Sequence, residues 1–221
     1  MYIELSHRLG PSTPVAPGVP PPEFRQHYSI QGGDASNLFV LKLSNHFGTH
    51  VDAPWHFVDS GLKISDFAIE ECVFDQPLCL DLPMKEAGLI KANHLKPYAD
   101  QIGRCDLLML RTGYSAIRGT DPERYRSKGP GMSVEGASYL AANFPRLRAL
   151  GLDTISLACM EHLEEGLEAH RVLLRGEGRR FLIVEDMKLE PDLSRLRSVI
   201  VLPLFIEGID SSPCTVMGVI E

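Results

Sequence analysis

The chain has 221 residues, 44% hydrophobic and 23% charged, with a net charge of −7; this suits a globular protein of one domain, residues 1–221, with room for a substantial core. The acidic balance, without basic runs or basic–aromatic interleaving, excludes a nucleic-acid surface and disfavours an anionic membrane. No stretch reaches the roughly 18 consecutive apolar residues of a membrane span, Met1–Leu9 has no signal-peptide core, and five cysteines without Cys-x-x-Cys spacing read as buried thiols in a reducing, cytoplasmic setting.

Residues 10–22 are rich in proline and glycine and predict a stiff surface excursion. Leu38–Ser44 reads as a strand leading into a histidine-rich segment. Pro77–Leu82 and Cys105–Arg111 read as further strands, the second nearly all apolar and therefore central. Thr120–Pro130 is charged, with glycine and proline at its end, which predicts a solvated loop. Ser133 can cap a helix running to about Asn143, with Glu135 in its first turn. Ala149–Ile155 predicts a short strand and Glu161–Arg175 a helix. Arg180–Lys188, Ser198–Ile206 and Cys214–Ile220 read as strands. Helices and strands mix without strict alternation, the pattern of a mixed α/β protein. No Gly-x-Gly-x-x-Gly or Gly-x-x-x-x-Gly-Lys supports a nucleotide site. Gly131-Met132-Ser133-Val134-Glu135 fails the Gly-x-Ser-x-Gly pattern of a serine hydrolase at its last position.

The most informative stretch is His46-Phe47-Gly48-Thr49-His50-Val51-Asp52-Ala53-Pro54-Trp55-His56, which holds three of the eight histidines. Histidine is the commonest protein metal ligand, and a carboxylate completes a nitrogen/oxygen set. His46, His50, Asp52 and His56 share sequence parity, so an extended chain projects them from one side. A helix would turn Asp52 and His56 away from the other two, and Gly48 and Pro54 disfavour a helix anyway. A polar surface loop is the competing reading. His56 can be a ligand or a proton carrier. Trp55 and Phe57 beside it can wall an aromatic or ring-shaped substrate, or pack.

Two distal candidates lie downstream. Leu163, Leu167, His170 and Leu174 share one helix face, so His170 points inward, either as a core histidine or as a ligand. His162 falls elsewhere on the helix and reads as a surface residue. Along Phe181–Met187, alternation places Phe181, Ile183, Glu185 and Met187 on one face and Leu182, Val184 and Asp186 on the other. A buried carboxylate needs a cation or a donor. Spacing favours Glu185 over Asp186 only slightly, and the other acid is then the solvated one.

His-x-Gly-Thr-His-x-Asp-x-Pro-x-His resembles the signature of the cyclase family, which includes bacterial kynurenine formamidases. Ile3-Glu4-Leu5-Ser6-His7, Pro14–Gly18, Arg111-Thr112-Gly113, Gly151–Ser156, Ala169–Leu174 and Glu207–Pro213 are similar to other family segments. The resemblance therefore runs over nearly the whole chain. It implies an α/β domain with β/β/α layers, assembled as a homo-oligomer, a dimer or tetramer. It also implies a metal-dependent hydrolase of a carbon–nitrogen amide bond. The best-known family reaction converts N-formyl-L-kynurenine and water to formate and L-kynurenine, a step of tryptophan catabolism.

The same resemblance implies up to two metals per chain, zinc first and manganese as the alternative. His46 and His50 would hold one, His170 and Glu185 the other, with Asp52 between them. The nucleophile would then be metal-bound hydroxide, and His56 is assigned to proton transfer. A cyclic, isatin-like amide is a second substrate class, and a non-hydrolytic cyclase or lyase a second reaction class. One departure bears on the choice. After Asp153-Thr154-Ile155-Ser156 the formamidases resemble Ser-Val-Asp, where this chain runs Leu157-Ala158-Cys159-Met160. The missing acid weakens the formamidase reading more than the hydrolase reading.

Overall fold

A computed structural model describes residues 1–176 and 178–221. In chain order the strands are β1 (Tyr2–Glu4), β2 (Glu23–Tyr28), β3 (Leu38–Lys42), β4 (His50–Asp52), β5 (Val73–Phe74), β6 (Pro77–Asp81) and β7 (Leu89–Ile90), followed by β8 (Leu107–Arg111), β9 (Gly131–Met132), β10 (Ala149–Leu152), β11 (Leu182–Glu185), β12 (Leu196–Pro203) and β13 (Ser211–Ile220). The helices are α1 (Ala92–Leu95), α2 (Ala99–Ile102), α3 (Pro122–Lys128), α4 (Val134–Asn143) and α5 (Leu163–Leu174).

The main sheet runs β5-β12-β13-β4-β11-β10-β8-β6, with β1 added against β13. Strands β6, β8, β10 and β11 are parallel neighbours, whereas β4, β13, β12 and β5 pair antiparallel. Only Asp75 and Gln76 separate the two end strands in sequence, so the sheet curls until it nearly closes. The unbroken apolar run of β8 is buried on both faces, as a central parallel strand requires. Leu107 and Met109 pack inside the curl with Val51, Val184 and Val199. Leu108 and Leu110 pack outside it with Leu140 of α4 and Leu173 of α5. The result is the β/β/α layering of a mixed α/β fold. Helix α5 can approach this closely because of Gly166, where a Cβ would lie 2.4 Å from Ala158 Cα.

The elements depart from expectation in two places. Residues 120–130 are not merely a solvated loop: Asp121 accepts from Arg124 N and Pro122 occupies the first turn, so a capped helix α3 forms and buries Tyr125 completely. The strand expected from Leu38 is present as β3; among the described residues it pairs with β2 alone, and all of Leu38–Lys42 is exposed, so it stands out as a hairpin. Strand β11 stops at Glu185 because Asp186 is left-handed (φ 52°). That conformation cancels the alternation, and Met187 joins Leu182 and Val184 instead of Ile183. All five cysteines are free. Among the described residues no helix is long and apolar enough to cross a membrane.

Candidate active site

Strand pairing assembles the site. Strand β4 sits between β11 and β13, with His50 opposite Glu185 on one side and Asp52 opposite Ser211 on the other. Gly48 (φ 62°) turns the chain ahead of β4 and brings His46 back over it. A short 3-10 turn over Pro54–His56 does the same for His56. The rings of His46 and His50 lie 5.0 Å apart and those of His46 and His56 4.2 Å apart. The four motif residues therefore converge, but through two turns around a three-residue strand rather than through strand parity alone. His170 enters from α5 and meets Glu185 at 3.1 Å.

At the centre Asp52 is fully buried. Its Oδ1 lies 3.2 Å from His46 Nδ1 and 3.6 Å from His50 Nε2. Neither approach is a hydrogen bond: both Asp52 oxygens and His50 Nε2 lack partners. The histidine tautomers sharpen the point. His50 Nδ1 donates to the Gly48 carbonyl and His170 Nδ1 to the Gly166 carbonyl, each at 2.7 Å. A neutral ring then turns its Nε2 lone pair inward. Those lone pairs face Glu185 Oε2 at 3.2 Å and Oε1 at 3.1 Å. Lone pairs against carboxylates repel unless a proton or metal cation lies between them.

Two groups can each gather three ligand atoms: His46, Asp52 and His56, and His50, Asp52 and Glu185. Asp52 is common to both. The partition differs from the one expected by resemblance, which put His50 with His46. The antiparallel register of β4 and β11 sets His50 against Glu185 instead. Outer contacts hold the Glu185 carboxylate in place. Glu185 Oε1 accepts from Leu157 N at 2.6 Å and Ser156 Oγ at 3.1 Å.

Asp210 is the residue that sequence reasoning missed. It accepts from His56 Nδ1 at 2.6 Å, His46 Nε2 at 3.2 Å and Asn45 Nδ2 at 2.6 Å. This fixes the His56 tautomer and leaves its Nε2 free to exchange a proton. The only signal was its place in the Glu207–Pro213 segment, which carries no spacing rule.

A cavity of about 260 Å³ opens over the site. Its floor is His46, His50, His56, His170 and Glu185, and its walls include Val19, Phe57, Ile155, Met160 and Leu163. Phe57 stacks on His170 at 4.6 Å. Trp55 does not line this cavity; its indole faces a different one, with the Lys63 ammonium 4.5 Å above it. Leu163, expected on the buried face of α5, is 45% exposed at the cavity wall. Asp186, a candidate for the solvated acid, is fully buried on the far side of the strand.

Charge coupling gives the metal-free site a distinctive pH response. Burial lowers the His46 pKa, but Asp52 and Asp210 outweigh it and raise it to about 10. Burial and Asp52 push Glu185 up, but His170 and His50 bring it down to about 2. A raised histidine stabilises fully below its unfolded value near 6.5, and that stability drains as pH climbs towards 10. A depressed carboxylate stabilises above its unfolded value of 4.5, and that contribution is lost as pH falls towards 2. Chelator-treated protein is therefore expected to melt highest between these windows, and at progressively lower temperature from pH 6.5 to 9.5. Thermal melts across this range check it; a flat profile contradicts it.

The fold and site define a class: a nearly closed mixed α/β sheet with a buried histidine–carboxylate cluster at one end. The Cyclase family model matches residues 3–158, and the chain belongs to that family. Kynurenine formamidase of Geobacillus thermodenitrificans (strain NG80-2) is 27% identical over 218 residues, covering 96% of this chain and 94% of that one. Cyclase-like protein 1 of Arabidopsis thaliana is 29% identical over 221 residues, covering 95% and 81%. Among solved structures, isatin hydrolase A from Ralstonia solanacearum superposes with a TM-score of 0.81 at 22% identity, over 100% of this chain and 92% of that one.

Proposed function

We propose that the protein is a metal-dependent hydrolase of a carbon–nitrogen amide bond in a small substrate. The observation that carries this is the set of unpartnered buried atoms, Asp52 Oδ1 and Oδ2 and His50 Nε2, beside His56 at the cavity floor with Asp210 behind it. His46, His50, Asp52, His170 and Glu185 would hold up to two ions; the nitrogen/oxygen set suits zinc or manganese. Such an ion, when bound, polarises an amide carbonyl and acidifies water. The remaining work belongs to the chain. Asp210 holds the Nδ1 proton of His56, so Nε2 is left to take a proton and return it to the leaving nitrogen. Phe57, Ile155 and Met160 exclude bulk water and place the substrate over the floor.

Two substrate classes fit this chemistry. N-formyl-L-kynurenine is the reference, by likeness to the Geobacillus enzyme. The cavity favours a neutral cyclic amide. Among the described residues no lysine or arginine lines it to meet an amino-acid carboxylate. Arg171 lies outside, over the Phe57 ring at 5.6 Å and paired with Glu168 at 3.1 Å. The departing segment Leu157–Met160 supplies Ala158 and Met160 to the wall instead of an acid. The test is turnover of formyl-kynurenine, formanilide, isatin and a lactone by protein loaded with zinc or manganese. Hydrolysis of isatin or formanilide ahead of formyl-kynurenine is expected. No amide turnover by metal-loaded protein would favour a lyase, a cyclase or a binding protein instead. A homo-oligomer in the cytoplasm belongs to the same reading, and Phe39, Val40 and Leu41 on the exposed hairpin are a surface that it would cover. Light scattering of the purified protein checks the oligomer.

A further inference from the structure

Glu185 and Asp186 are consecutive, both buried, and face opposite ways. Glu185 enters the cavity. Asp186 points to the far side, where the Arg118 guanidinium grips it through Nε and Nη2 at 2.7 and 2.6 Å and the Tyr125 hydroxyl donates to Oδ1 at 2.6 Å. No part of this network lines the cavity. Arg118 is itself nearly buried, its side chain 12% exposed. A buried ion pair of this kind repays little in stability, because desolvation offsets the attraction.

Its geometric consequence is larger. Asp186 holds φ at 52°, a conformation that residues with a Cβ keep only when the surroundings over-determine it. That conformation aims its backbone groups at the other site segments. Asp186 N donates to Thr154 O at 2.7 Å, two residues before the Ser156 that holds Glu185. The Asp186 carbonyl accepts from Thr49 Oγ1 at 2.6 Å, one residue before His50. The Asp186 peptide thus ties together the segments carrying Glu185, His50 and Ser156. Tyr125 adds a second link: it belongs to a buried cluster with Tyr114 and Ile155, and Ile155 is a cavity wall.

We propose that Arg118, with Tyr125, is a positioning residue: by clamping Asp186 in its left-handed conformation it aims Glu185 at His50 and His170. The inference rests on reading those residues as metal ligands. If the clamp loosens, Asp186 relaxes towards extended backbone, β11 resumes alternation, and the Glu185 carboxylate turns off its partners.

The test compares zinc dissociation constants, measured by competition with a chromophoric chelator, for wild type, Arg118→Lys, Asp186→Ala and Asp186→Asn. Lysine keeps the charge but loses the fork. Alanine disfavours a positive φ, whereas asparagine tolerates it and its one amide oxygen can still accept from Arg118 Nε and the Tyr125 hydroxyl, giving up only the Nη2 contact. Arg118→Lys and Asp186→Ala are expected to weaken zinc binding roughly 10- to 100-fold, the usual cost of losing an outer partner. Asp186→Asn should recover affinity to within a few fold of wild type. A purely structural network would lower the melting temperature of all three and leave zinc affinity at the wild-type value, which overturns the proposal. If Asp186→Ala does not fold, Arg118→Lys decides alone. Wild-type protein that binds no zinc removes the metal-site reading and the inference with it. Wild-type binding with unchanged affinity in Arg118→Lys removes the inference alone.

Discussion

Asp52→Ala is expected to empty the site of metal and to abolish activity. Asp52 is fully buried, both its oxygens lack hydrogen-bond partners, and it is common to both three-ligand groups. Among the described residues no other carboxylate has that double membership. Removing an outer partner of a ligand typically costs roughly 10- to 100-fold in metal affinity, and loss of a shared ligand should exceed that. The activity lost is the Lewis-acid contribution, several kcal/mol of transition-state stabilisation, so about a thousandfold or more at 1.36 kcal/mol per factor of ten. Elemental analysis and turnover on the same preparation read both effects. Full metal retention in Asp52→Ala would sink the assignment of the centre.

His56→Ala should separate chemistry from metal binding. If His56 carries the proton, its loss lowers kcat by roughly 10²- to 10⁴-fold while metal content stays at the wild-type level. If it is instead the third ligand beside His46 and Asp52, a geometry that the ring positions permit, metal and activity fall together. Asp210→Asn gives the companion result. Asp210 touches no cavity wall among the described residues and acts through His56 and His46. Its replacement should give an intermediate loss in kcat with little change in KM. A variant as inactive as His56→Ala and stripped of metal would place Asp210 in the metal centre rather than behind the base.

The histidine-rich segment of this site was legible in the sequence for local reasons, and the distal residues through the family resemblance. His46, His50, Asp52 and His56 lie within eleven residues, so any chain path that turns at Gly48 and Pro54 keeps them close. His170 was legible because 3.6-residue periodicity aims it inward. Glu185 was legible only with the family resemblance: a charge among Phe181, Ile183 and Met187 needs a partner if buried, but spacing favoured it over Asp186 only slightly. Local rules also misread two segments. The Asp121-Pro122 cap outweighed the charge of residues 120–130 and made a helix. The left-handed Asp186 broke a strand pattern whose period is two.

Sequence alone thus determined which groups are available: a cluster of histidines and carboxylates, and a continuous apolar strand to build on. Tertiary structure decided the partnerships. His50 meets Glu185 because β4 and β11 run antiparallel in one register, and Asp210 reaches His56 because β13 lies on the other side of β4. Those choices depend on backbone hydrogen bonds between strands more than a hundred residues apart in sequence, and no spacing within either segment encodes which strand will be its neighbour.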